Sequence, residues 1–132
     1  MVLMDIPALD RLLADVARVL TPDGRLIFTI PHPCFWSQTP FEDPTSGDRY
    51  RKVRGYLAHE ERWVDSFGGH RHYHRPLSWY VDTLAAAGLA VVRLAEPPTP
   101  PADLREADEW SDYETWMATI PTMIGLSAAR RP

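Results

Sequence analysis

Cysteine occurs once, at Cys34, so no intrachain disulfide can form and a reducing compartment fits the chain best. Basic residues are in deficit: 14 Lys and Arg stand against 18 Asp and Glu, a net charge of −4. A general nucleic-acid surface or an anionic-membrane surface needs the opposite balance. No apolar run approaches the roughly 20 residues that span a bilayer. Asp5, Asp10 and Arg11 interrupt the one early apolar stretch, which argues against a secretory signal. These absences lead us to expect a cytoplasmic protein with neither nucleic acid nor membrane among its partners. Internal repeats and a convincing domain boundary are also missing. What the chain has in excess is proline, 13 in 132 residues, which implies long irregular connections. The rest, 45% hydrophobic and 24% charged, is ordinary for one globular core.

The stretch "DIPALDRLLADVARVL" predicts a helix. Leu9, Leu12, Leu13, Val16, Val19 and Leu20 recur at helical spacing, Asp5 is placed to accept bonds from the first free amides, and Pro7 suits a first turn. "TPDG" follows as a turn. "RLIFTI" then has four apolar residues in six without clean alternation, as expected of a strand covered on both faces in a parallel sheet. Pro31 and Pro33 end it. "RPLSWYVDTLAAAG" predicts a second helix stopped by Gly88, with Leu77, Tyr80, Val81, Leu84 and Ala87 toward the sheet. "LAVVRLAEP" is the next strand, a proline-rich loop leads to a short helix near "DYETWMATIP", and "TMIGLSAAR" closes the chain as a third strand. Such alternation points to an α/β layered sheet.

Residues 35–75 differ from the rest. They are aromatic and charged, poor in aliphatics, and long enough to be a functional insertion. Around "FGG" the flanks "ERWVD" and "HRHYH" can pair as a hairpin, which would place His70, His72 and His74 on one face. Three imidazoles in that arrangement suggest zinc or copper, but no further cysteine or histidine is spaced to complete a site, and a polar strand is the better reading. Phe35, Trp36, Phe41, Tyr50, Tyr56, Trp63, Phe67, Tyr73 and Trp79 are dense enough either to line an apolar cavity or to form a small core of their own. "RYRKVR" can meet an acidic ligand or simply stay solvated. Directly after the first strand come His32 and Cys34, where an open α/β sheet has its ligand crevice. His32 is either a general base or a loop-shaping residue. Cys34 reads as a small buried side chain.

Three ordered segments carry a family resemblance. "LMDIPALDRLLADVARVLTPDGRLIFTIPHPCF", with Arg18, Val19 and Leu20 before the Pro22–Gly24 turn, resembles the fourth-to-fifth-strand segment of class I S-adenosylmethionine-dependent methyltransferases, in particular the ubiquinone and menaquinone biosynthesis type. "YHRPLSWYVDTLAAAGLAVVRLAEP" resembles the helix and strand that follow that family's substrate lid, and "IPTMIGLSAAR" its last, antiparallel strand.

The resemblance implies a Rossmann-like half-sheet: two parallel strands, a final antiparallel strand, flanking helices and an inserted lid at 35–75, within a single partial domain over 1–132. It implies transfer of a methyl group from S-adenosylmethionine to a small, hydrophobic or aromatic molecule, with His32 as base. Phe35, Trp36, Trp63, Tyr73, His74 and Arg75 would surround the substrate, while Val2, Leu3 and Met4 would pass the cofactor. The family's glycine-rich cofactor turn has no counterpart, since Gly68–Gly69 follows no buried strand. The expectation is therefore the carboxy-terminal half of an enzyme, inactive alone: a proteolytic remnant, a start mis-called at an internal Met1, or a natural half-protein completed by another chain. Its partner would be a second copy or the missing amino-terminal half. The alternatives are a non-catalytic, dimeric binding remnant and a metal-binding protein built on the histidine triplet.

Overall fold

The computed structural model describes residues 2–36, 40–65, 68–101 and 106–131. A single 3-10 turn at Leu3–Asp5 precedes helix α1 (Leu9–Val19). Leu9 and Leu13 are buried and Leu12, Val16 and Leu20 half-buried, whereas Val19 is exposed. Asp5 does not cap the helix as expected. It belongs to the preceding turn, and the N-cap position falls on Ala8, which offers no side-chain acceptor. The other end is better served: the Arg130 guanidinium donates to the Ala17 and Arg18 carbonyls at 2.8 and 3.2 Å, a cation on carbonyls the helix leaves free.

After the Thr21–Gly24 turn come β1 (Arg25–Pro31) and two small hairpins, β2 (Pro40–Glu42) with β3 (Arg49–Arg51) and β4 (Glu60–Val64) with β5 (His70–His74). Then follow α2 (Leu77–Ala86), β6 (Leu89–Ala95), α3 (Asp112–Met117) and β7 (Met123–Arg130). Gly88 adopts φ +78°, the left-handed stop that ends α2. Val81, expected toward the sheet, is 39% exposed.

The main sheet has the order β1-β7-β6, with β7 antiparallel to both neighbours. β1 and β6 thus run in the same direction without touching. On β7 burial alternates, with Ile124, Leu126 and Ala128 on the covered side. They share one apolar cluster with Leu9 and Leu13 of α1, Tyr80 and Leu84 of α2, and Ile30 and Leu89 of the flanking strands.

β1 is not the doubly covered, parallel-paired strand that its composition suggests. Ile30 is buried and Leu26 and Phe28 are half-buried beneath the helices, whereas Arg25, Ile27 and Thr29 are exposed, Ile27 at 73%. All its ladder bonds are antiparallel, and among the described residues no strand pairs with its other edge. The open face holds a shallow depression of about 540 Å³ with Ile27, Val92 and Ser127 in its lining and Arg25 and Arg93 beside them. Among the described residues no helix is long and apolar enough to cross a membrane.

Candidate functional site

Two groups of side chains meet at the end of the sheet where β1 and β6 finish. The first is built on His32, buried just past β1. Its backbone N–H donates to the Thr122 carbonyl at 2.8 Å, fastening the loop to the start of β7. The ring Nδ1 accepts the Cys34 backbone N–H at 3.1 Å, and an accepting nitrogen carries no proton. The remaining proton therefore sits on Nε2, which donates to Glu96 Oε1 at 2.9 Å. Both ring nitrogens are engaged. Phe35 lies against the same imidazole, ring centroids 4.7 Å apart. Half-burial pushes the Cys34 thiol upward, so it stays protonated, in keeping with a small packed side chain.

Glu96 escaped the sequence reading because 64 residues separate it from His32. A signal existed: it directly follows β6, as His32 follows β1, and strands of one direction end on the same side of a sheet.

The second group is the inward face of β5. The predicted hairpin forms, pairing Arg62 with His72 and Glu60 with His74, and the three histidines do share one face. Each has its own partner. His70 Nε2 lies 3.6 Å from Asp5 Oδ1. His72 stacks on Trp36 with centroids 4.8 Å apart and 23° between planes. His74 Nε2 donates to the Tyr56 carbonyl at 3.0 Å. Among the described residues no three ligating side chains converge as a metal site. Burial, helped by the neighbouring Arg62 charge, holds His72 down at about 4, so it is neutral near pH 7.

Arg75, next along the chain, is buried and turned toward the amino-terminal segment. Its guanidinium donates to the carbonyls of Leu3 (3.4 Å), Ile6 (2.7 Å) and Pro7 (3.0 Å), and lies over the rings of Trp79 (4.6 Å) and Tyr73 (5.2 Å). That clamp fixes the 2–4 segment beside the hairpin. Within it Val2 is exposed, Leu3 is half-buried, and the Met4 side chain enters the core.

The aromatic residues do not gather around one space. Phe35 and Trp36 lie by the histidines, whereas Trp63 and Tyr73 are on the opposite face of the hairpin, Trp63 being 63% exposed. Gly69 allows that indole to settle: at φ +84°, a Cβ there would stand 2.4 Å from Trp63 Cζ2. Phe41 and Tyr50 pair with each other on β2–β3. Phe67 lies outside the described residues. The basic run disperses as well, with Arg49 on Glu42 at 2.9 Å and Arg51 donating to the Phe35 carbonyl at 3.4 Å.

No family model and no curated protein matches the sequence. Solved structures do. An S-adenosylmethionine-dependent methyltransferase from Mesorhizobium loti superimposes with a TM-score of 0.75 at 23% identity, and a Listeria monocytogenes protein assigned to the same activity with 0.70 at 27%. Each alignment covers 98% of this chain but 58% of the other. The glycopeptide N-methyltransferase MtfA, in complex with S-adenosylmethionine, reaches 0.51 at 18% identity, over 98% of this chain and 50% of its own. The chain thus has the α/β fold of S-adenosylmethionine-dependent methyltransferases and spans about three-fifths of the length of the first two. The quinone-biosynthesis subtype is a finer resemblance that these structures do not single out.

Proposed function

We propose that this chain is the carboxy-terminal part of a cytoplasmic S-adenosylmethionine-dependent methyltransferase acting on a small hydrophobic or aromatic molecule. The observation that carries the reading is the sheet order, an antiparallel β7 inserted between same-direction β1 and β6, together with its superposition over nearly the whole chain on two such enzymes. In this reading residues 35–75 are the lid over the acceptor, and 1–132 form one partial domain.

The residues present are a poor fit to a complete cofactor site. A sulfonium nucleoside needs a close backbone approach, which glycine permits, and a carboxylate for its ribose hydroxyls. Here Val2, Leu3 and Met4 offer one wall, already tied by Arg75, and no glycine-rich turn follows a strand among the described residues. The chain alone is therefore proposed to be inactive.

In this reading His32 takes the proton from the methyl acceptor. Glu96 on Nε2–H orients the ring and leaves Nδ1 as the basic position, the division of labour seen when a carboxylate holds a catalytic imidazole. That role requires the 32–36 loop to release the Cys34 amide from Nδ1. Phe35, Trp36 and His74 stand on the acceptor side. Trp63, Tyr73 and Arg75 reach it only through the hairpin they stiffen.

Calorimetric titration with S-adenosylhomocysteine tests the assignment. This chain should give no heat, and a polypeptide extended by its upstream coding sequence should bind. Absence of binding by the extended polypeptide would overturn the reading.

The open face of the sheet and the unpaired edge of β1 favour a second reading, a non-catalytic remnant that dimerises through them or docks on the rest of a methyltransferase domain. Light scattering separates the two: a stable dimer blind to the cofactor in both short and extended forms supports the remnant.

A further inference from the structure

The connection from β6 to α3 opens with "EPPTPP", residues 96–101. Its four prolines carry no N–H, so only Glu96 and Thr99 can donate from the backbone. Proline also fixes its own φ and keeps the residue before it extended, which makes the segment a stiff strut. Residues 96–98 are exposed, and Thr99 is half-buried.

The Thr99 hydroxyl uses its whole bonding capacity at the start of β7. It donates to the Ile120 carbonyl at 2.9 Å. It accepts the Thr122 backbone N–H at 3.2 Å and, its own proton being committed to Ile120, the Thr122 hydroxyl at 2.9 Å. Thr122 is also the residue whose carbonyl takes the His32 N–H at 2.8 Å. Both members of the His32–Glu96 pair therefore hang from Thr122. His32 does so directly, and Glu96 through the strut that ends at Thr99.

That fastening matters because the Glu96 side chain is 46% exposed. A carboxylate so open to water holds a partner weakly unless its backbone is already in place. The imidazole is buried, and among the described residues its Nε2 has no hydrogen-bond partner besides Glu96.

We propose that Thr99 is a positioning residue for the His32–Glu96 pair: its hydroxyl pins the proline strut to Thr122 and so keeps the Glu96 carboxylate on the Nε2–H. The inference rests on the methyltransferase reading only for what the imidazole is used for. Neither cofactor nor activity enters its test, so the S-adenosylhomocysteine titration judges the enzyme assignment separately.

The test follows the ring N–H protons by NMR in the full 132-residue chain labelled with 15N-histidine. The His32 signal is the one absent from His32→Gln. At neutral pH the parent chain should show an Nε2–H proton that exchanges slowly with water. Thr99→Val keeps the branched shape and removes the hydroxyl. It should speed that exchange about tenfold, the order of one lost hydrogen bond. Thr99→Ser restores the hydroxyl and should restore slow exchange. In a Glu96→Ala background, Thr99→Val should add no further acceleration, because the residue acts through the carboxylate. If Thr99→Val lacks the parent's near-ultraviolet spectrum, Thr122→Val takes its place in the same comparisons. It deletes one of the three bonds at Thr99 and should still quicken exchange. Four outcomes overturn the proposal: a His32 ring proton already in fast exchange in the parent; exchange unchanged in the variant used; no recovery in Thr99→Ser; or the same acceleration with Glu96 removed.

Discussion

In the core between the sheet and its helices, the largest side chains fully removed from water are Leu9, Leu13, Ile30, Leu84, Leu89, Ile124 and Leu126. On the β4–β5 hairpin and the turn into α2 the buried polar side chains are His72, His74 and Arg75. The first set is held by removal of apolar surface, which has no direction and no protonation state. The second is held by directed bonds: imidazole to carbonyl, guanidinium to three carbonyls, imidazole on indole. The contrast explains why the hairpin can be polar on its buried face and still be docked. It also implies that the two regions fail under different conditions.

The sharpest break should come from the sheet. Leu126 sits on the central strand with 1% exposure, opposite Phe28 on one side and Leu94 on the other. Leu126→Ala removes its contacts and leaves a cavity that strands on both sides prevent from collapsing, a loss of about 2–5 kcal/mol. Urea denaturation should show this deficit unchanged between pH 7 and pH 5. A deficit that varied strongly with pH would mean that sheet and hairpin are not held by separate means.

Acid should affect the hairpin next most. His72 takes up its proton near 4 when folded and near the ordinary 6.5 when unfolded. Between those values the unfolded chain binds the extra proton, so stability falls as pH drops through that window and is fully present above 6.5. The gap corresponds to at most about 3 kcal/mol. Arg62, Asp5, His70 and His74 face the same ring and move with it electrostatically. His72→Phe keeps a ring on Trp36 and cannot titrate. Its denaturation midpoint should therefore fall less than that of the parent chain between pH 7 and pH 4, and an equal fall would remove His72 from the account.

The sheet layer was largely legible in the sequence, and the hairpin layer only in outline. Helical spacing located α1 and α2, Gly88 marked a stop, and the three apolar strands were found in order, because burial on one side of regular structure imposes a period on the chain. The same logic misled at β1. Ile27 is as apolar as Ile30, but composition cannot say whether a neighbour covers it. Asp5 was misplaced for a related reason: Asp before a helical stretch is a common cap, yet the chain turns once more at Leu3–Asp5 and the carboxylate swings toward His70. The His32–Glu96 and Arg75–Ile6 contacts join residues 64 and 69 positions apart, and no local pattern encodes such pairs. The likeness in three ordered segments carried more of the fold than spacing did, and the solved structures support it at the level of fold.

The smallest expected effect on stability lies on the other side of the same sheet. Ile27 is one residue from Phe28 and two from Thr29, on the strand that pairs with Leu126, yet its own side chain is 73% exposed. Ile27→Lys should therefore change the unfolding free energy measured in urea by no more than about 0.5 kcal/mol, the range of surface substitutions. If the open face joins two copies, the same change puts a charge beside Arg25 and Arg93 on each of them. Light scattering should then show the dimer dissociating at concentrations where the parent chain remains paired. A large loss of stability without a change in association would instead mean that Ile27 is covered by its own chain, and the difference between the two faces of the sheet would disappear.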